Sequence, residues 1–127
     1  MTASYTEPYA GLYAGETLTG IKFMKEDWAI RMYVRAGDRC DIRVRFQMPR
    51  CWRVTPMSQV ESPMNGQVIG IETGLFLVED SPFSRSFSEE IVLHDREMMR
   101  HFSIVTLGGV VDVLSTDFPE LASCYHL

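Results

Sequence analysis

Residues Ala29 to Met48, AIRMYVRAGDRCDIRVRFQM, alternate in twos. Ile30, Met32 and Val34 fall on one side, and Arg31, Tyr33 and Arg35 on the other. After Ala36-Gly37-Asp38-Arg39-Cys40 the pattern resumes. Ile42, Val44, Phe46 and Met48 take one side, and Asp41, Arg43, Arg45 and Gln47 the other. A period of two belongs to an extended strand with one buried face. Two such runs about a Gly-Asp turn predict a hairpin. Register follows, because a slip of one residue would turn every side chain over. Val34 faces Ile42, Met32 faces Val44 and Ile30 faces Phe46. The same register sets Arg35 opposite Asp41, Tyr33 opposite Arg43 and Arg31 opposite Arg45. Like charges directly opposite repel, so this pattern requires an acid, or water, beside Arg31 and Arg45.

The totals bound the rest. A chain of 127 residues, 46% hydrophobic and 23% charged, reads as one globular domain, residues 1–127. No apolar run approaches the ~20 residues of a membrane helix. The start, MTASYTEPYA, has neither a basic segment nor an apolar one, so no signal peptide is expected. Cys40, Cys51 and Cys124 are odd in number and lack metal-ligand spacing, which points to reduced thiols in a cytoplasmic protein. Charge is unevenly spread. Residues 22–53 hold nine bases and four acids, a balance of +5, and the remainder holds three bases and thirteen acids, a balance of −10. Such asymmetry bears on partners and solubility rather than fold.

Further strands are predicted over 19–24, 50–54 (with Trp52 and Val54 turned inward), 67–71 and 74–78. A second hairpin is predicted over 98–115, turning at Gly108-Gly109 with Thr106 facing Val111. Both of its faces are largely apolar, so it belongs in the interior. Tyr5, Tyr9 and Tyr13, four apart behind Thr6 and Pro8, predict a short helix near 7–14. Asp80 or Ser81 could cap another near 82–89, with Pro82 at its first position and Phe83 and Phe87 on one face. Asp117 to Glu120 has a capping pattern for a last helical turn. The expected class is therefore α+β: an antiparallel, twisted sheet with two or three short helices.

Chemical motifs are sparse. The chain has no phosphate loop, G-x-S-x-G, C-x-x-C or H-E-x-x-H. His94, Glu97 and His101 would share a face only if 89–101 were helical; a strand leading into Phe102 fits the sequence equally and would separate them, and no metal is expected. Glu89-Glu90 and Asp95/Glu97 could form an acid/base pair, but nothing sets their separation. Cys51 has no histidine tied to it and reads as a small core residue. No cofactor is expected. Arg31, Tyr33, Arg43 and Arg45 remain as a candidate partner surface. Arginine with an interleaved tyrosine can also meet phosphates and bases, but the chain is acidic overall, which disfavours nucleic acid.

From Gly74 onward the sequence resembles a group of small bacterial single-domain proteins. The group's pattern is an aromatic-rich turn like "VEDSPW" followed by a closing hairpin. Glu79-Asp80-Ser81-Pro82-Phe83 and Phe87 match the first part. His101-Phe102, Ile104, Thr106, Val113-Leu114-Ser115 and Pro119-Glu120 match the second. The resemblance covers roughly residues 40–121 and departs from the pattern at Phe83 and at Gly108-Gly109. The matched residues read as structural, so no catalytic residue is carried over. Some proteins of this build serve as immunity partners of secreted toxins, an analogy of build alone.

The expected function is accordingly non-enzymatic: a protein-binding domain of the toxin-neutralising kind. A −10 remainder beside an Arg-Tyr face would steer association. The alternative is a small-molecule-binding module or enzyme, with a pocket in a curved sheet lined by His94, His101, Cys51 or Asp112. Nucleic-acid binding stands third. An open sheet edge would leave room for a second copy of the chain.

Overall fold

A computed structural model describes residues 4–9, 17–36, 40–56, 73–79, 81–83 and 99–123. Nine strands follow in chain order: β1 (Ser4–Thr6), β2 (Leu18–Lys25), β3 (Ala29–Ala36), β4 (Cys40–Gln47), β5 (Cys51–Pro56), β6 (Gly74–Glu79), β7 (Arg100–Thr106), β8 (Gly109–Ser115) and β9 (Glu120–Ser123). They form a five-stranded sheet, β1-β6-β7-β8-β5, and a four-stranded sheet, β2-β3-β4-β9. Every pairing is antiparallel.

The two sheets face each other across one core. Ile30, Met32, Val34, Ile42, Val44 and Phe46 come from the four-stranded sheet, and Leu75, Phe102, Ile104, Val111 and Val113 from the five-stranded one. Phe46 meets Phe102 with ring centroids 5.3 Å apart, and Phe23 meets Trp52 at 6.2 Å. A backbone bond of 2.9 Å from Leu107 N to Leu18 O joins the sheets at one end. The architecture is a β-sandwich.

The central hairpin has the register its alternation predicts: Ile30 pairs with Phe46, Arg31 with Arg45, Met32 with Val44, Tyr33 with Arg43, Val34 with Ile42 and Arg35 with Asp41. Its apolar side lies buried in the core. Met48 departs from the expectation. β4 ends at Gln47 ahead of Pro49, and Met48 turns away with φ 52°. Val54 likewise lies exposed, whereas Trp52 packs on the core.

The second hairpin keeps its predicted faces but is displaced by two residues. Thr106 pairs with Gly109, and Ile104 with Val111, so the turn is Leu107-Gly108. The cause is the Thr106 hydroxyl, which accepts N–H bonds from Gly108 and Gly109, each 3.1 Å, and donates to Gly109 O at 2.9 Å. A local side-chain cap of this kind selects the turn position. As expected for an interior hairpin, β7 and β8 are buried on both faces from His101 to Thr106 and from Gly109 to Ser115.

The α+β expectation is corrected: the described chain is built of antiparallel strands. Ser4–Thr6 does not cap a helix but pairs with Leu77–Glu79 as an edge strand. Ladder bonds to β6 satisfy backbone groups that a lone helical turn in water would leave frayed. Glu120–Ser123 extends to pair with Ile42–Arg45 instead of coiling after Asp117. Pro82 and Phe83 have helical backbone. Residues 10–14, 67–71 and 84–89 lie outside the described residues.

Candidate functional site

Two regions of the sandwich collect polar chemistry. The first is the outer face of the four-stranded sheet. Pairing places Gly20 beside Arg35, Lys22 beside Tyr33 and Met24 beside Arg31. Arg43 and Arg45 continue the face on β4, beside Ala122 and Glu120 of β9. The acid required by the Arg31–Arg45 juxtaposition is Glu26. Its carboxylate accepts from Arg31 NH2 and, at 3.1 Å, from Arg45 Nε. Arg45 NH1 also reaches Gln47 at 2.6 Å and Glu120 at 3.1 Å, while Arg31 NH1 donates to the Tyr33 hydroxyl at 3.2 Å. The hydrogen bond from Arg45, with the nearby charges of Arg31 and Arg45, holds the Glu26 carboxyl below its ordinary value. Arg43 is exposed and has no ion pair among the described residues. An open hollow of about 640 Å³ lies over Gly20, bordered by Lys22, Met24, Tyr33 and Arg35. A Cβ at Gly20 would meet nothing within 4 Å.

This face runs through Glu26 into an apolar rim. Trp28 is 73% exposed and Met48 is 56% exposed. They are tied by a 2.6 Å bond from Met48 N to Trp28 O, and together with Trp52 and Arg50 they border a cleft of about 240 Å³. Met48 is the one described non-glycine residue with positive φ. For a side-chain-bearing residue that conformation costs about 1–2 kcal/mol.

The second region lies on the outer face of the five-stranded sheet, among Phe76, Val78, Val105, Val110 and Leu114, all buried. Here Ser81 Oγ lies 2.5 Å from His101 Nδ1, His101 Nε2 lies 2.7 Å from Asp112 Oδ1, and Arg53 NH2 donates to Asp112 Oδ2 at 3.1 Å. Ser81, His101 and Asp112 are buried. Burial pushes the Asp112 carboxyl up, but the hydrogen bond from His101, the charges of His101 and Arg53, and the bond from Arg53 outweigh it and hold the carboxyl below its ordinary value. An ionised carboxylate only accepts, so His101 Nε2 carries the proton. Phe83 covers the line, 5.0 Å from the His101 ring and under the Arg53 guanidinium at 4.5 Å. The Ser103 hydroxyl, paired across the strands with Asp112, is buried without a partner. Burial raises the Tyr5 hydroxyl, and the Asp112 charge raises it further.

The structure thus places Arg31, Tyr33, Arg43 and Arg45 on one wet face, with Arg31 and Arg45 joined through Glu26. His101 and Asp112, separate candidates in the sequence, come together, while Cys51 lies one strand away and half-buried. His94, Glu89, Glu90, Asp95 and Glu97 lie outside the described residues. Sequence reasoning missed Trp28 and Ser81 as site residues. Their signals were an indole at a polar turn and a serine ahead of Pro-Phe. Among the described residues no three potential metal ligands converge, and no helix is long and apolar enough to cross a membrane. No family model, curated protein or solved structure matches this chain.

Proposed function

We propose that this β-sandwich is a protein-binding module whose partner presents an acidic patch. The supporting observation is the continuity of the Trp28–Met48 rim with the cationic face of the four-stranded sheet. On that face Lys22, Arg31, Arg35, Arg43 and Arg45 stand against Glu26 and Glu120, five bases to two acids among the described side chains. Tryptophan, tyrosine and arginine are the residues that most often dominate binding energy. The cationic surroundings steer an acidic partner and reject basic ones. Glu26 holds Arg31 and Arg45 in place before any partner arrives, which lowers the ordering cost of association. A strained, exposed Met48 at the rim fits the tendency of backbone outliers to gather at binding sites.

A secreted toxin encoded beside the gene for this chain is the first partner to test, since resemblance to immunity-like proteins suggests that class. The experiment is affinity capture with the intact protein, followed by titration of the identified partner over a salt series. Trp28→Ala is expected to weaken binding by about 2 kcal/mol, roughly 30-fold in Kd. Arg43→Glu is expected to slow association and flatten its salt dependence. Recovery of no acidic protein, or binding indifferent to both substitutions, overturns the proposal. Retention of RNA in place of protein would favour the nucleic-acid reading.

A further inference from the structure

The buried polar line on the opposite sheet calls for a separate account. We propose that Ser81, His101 and Asp112 form a nucleophilic-serine site that accepts the acyl group of small esters. The geometry carries the chemistry in order. Asp112, held by Arg53, fixes the proton on His101 Nε2 at 2.7 Å. In the singly protonated ring Nδ1 is then left with a lone pair. That lone pair faces Ser81 Oγ at 2.5 Å, so the serine hydroxyl donates to a base already oriented by a carboxylate. Nucleophile–base and base–orienter contacts define the serine–histidine–acid arrangement by geometry, whatever the chain order, and here the two ring nitrogens exchange their usual roles.

Access is through a pocket of about 290 Å³ that Ser81 and His101 both line. Its other walls are the apolar Leu77, Val78 and Met99 and the charged Glu79 and Arg100. That volume is at the lower limit for ligand pockets and suits a short acyl group. Arg100 stands at the rim, and strand alternation turns it to the face of β7 opposite His101. Its guanidinium is fixed by a 2.8 Å bond to Thr116 O and by the Phe118 ring at 5.0 Å.

The steps balance without a cofactor. Ser81 Oγ bonds to the acyl carbon, and its proton passes to His101 Nδ1. The carbon–oxygen bond to the leaving alcohol breaks, and that alcohol takes the proton from His101. Water then attacks the acyl-serine, losing a proton to His101. The carboxylic acid leaves, and the Ser81 hydroxyl is restored.

The test treats the intact protein with a fluorophosphonate and, separately, with p-nitrophenyl acetate. One adduct is expected, mapped by mass spectrometry to Ser81, absent from Ser81→Ala and absent after unfolding in urea. His101→Gln is expected to slow labelling by about 100-fold or more. Should that variant not fold, the comparison of native with urea-unfolded wild type decides. Ser81→Cys provides a further check: its thiol should react with iodoacetamide faster folded than unfolded. No Ser81 adduct on the folded chain, labelling equal in the unfolded chain, or labelling unchanged in folded His101→Gln overturns the proposal. Because the cationic face lies on the other sheet, this result is independent of partner binding.

Discussion

Met48→Gly should make the protein more stable while weakening the proposed interface. Met48 holds φ at 52° between Gln47 and Pro49. A residue with a Cβ spends about 1–2 kcal/mol there, and glycine spends almost none. Glycine also loosens the unfolded chain, which returns about 0.4–1 kcal/mol. Met48 is 56% exposed, so little packing is lost. The net expectation is a gain of about 0.5–1 kcal/mol, or roughly 2–5 °C in Tm for a domain of this size. Urea unfolding measures it: the midpoint should rise with the slope unchanged, since no new surface is exposed. Met48→Ala separates strain from side-chain loss, because it keeps the Cβ and should gain nothing. A midpoint that falls or stays put in Met48→Gly, or rises equally in Met48→Ala, refutes the reasoning. Partner affinity should drop in both, the trade of function against stability expected where strain is kept for a purpose.

Glu26→Gln should destabilise the fold, because Arg31 and Arg45 would then face each other without the carboxylate between them. The deficit against wild type should shrink in 1 M NaCl, where repulsion is screened, and a deficit indifferent to salt would count against it. Burial pushes the Cys51 thiol up to about 11, with Arg53 pulling weakly the other way. At pH 8 its thiolate fraction should therefore be about 100-fold below that of an ordinary thiol. Greater nucleophilicity returns about tenfold, so alkylation of Cys51 should run roughly 10- to 100-fold slow, and a rate equal to a peptide thiol's would sink the idea. Asp112 has a depressed native value, so its contribution to stability is complete above its ordinary value of 3.8 and is lost as pH falls below that toward the native value. Acid titration of stability should be flatter below pH 4 in Asp112→Asn than in wild type, and identical acid limbs would refute the assignment.

Legibility in the sequence followed the range of the interaction concerned. The 29–48 register was readable because alternation, a short turn and burial of one face all gave the same answer. Even the flaw in that pattern was informative, since the Arg31–Arg45 clash called for an acid and Glu26 fills the place. In the second hairpin the faces were readable and the register was not. Alternation is blind to a two-residue displacement, and the deciding term was one hydroxyl, that of Thr106. The cap expected at Thr6 and the helical turn expected after Asp117 rested on local spacing and capping, and pairing with β6 and β4 overrode both. Ser81, His101 and Asp112 were the hardest to see. They stand 20 and 11 residues apart, and only the β7–β8 register with the placement of Ser81 over the sheet joins them.

That buried line is also the place where stability alone gives the poorest explanation. Around it stand Phe76, Val78, Val105, Val110 and Leu114, a face that apolar residues at 101 and 112 would complete. Burying charges costs several kcal/mol per ion after relaxation, and replacing a buried ionic set by apolar groups of similar volume is often neutral or stabilising by about 1–4 kcal/mol. Arg53 is exposed and water would satisfy it if Asp112 were gone. A combined Ser81→Ala, His101→Leu, Asp112→Leu chain should therefore match or exceed the wild type in urea while losing every reaction at Ser81. Substituting His101 alone would leave Asp112 Oδ1 without its partner in the apolar face and be the more damaging change. The two results together separate a line kept for its chemistry from one kept to hold Ser81 and Phe83 against the sheet: in the second case the triple variant would be markedly less stable.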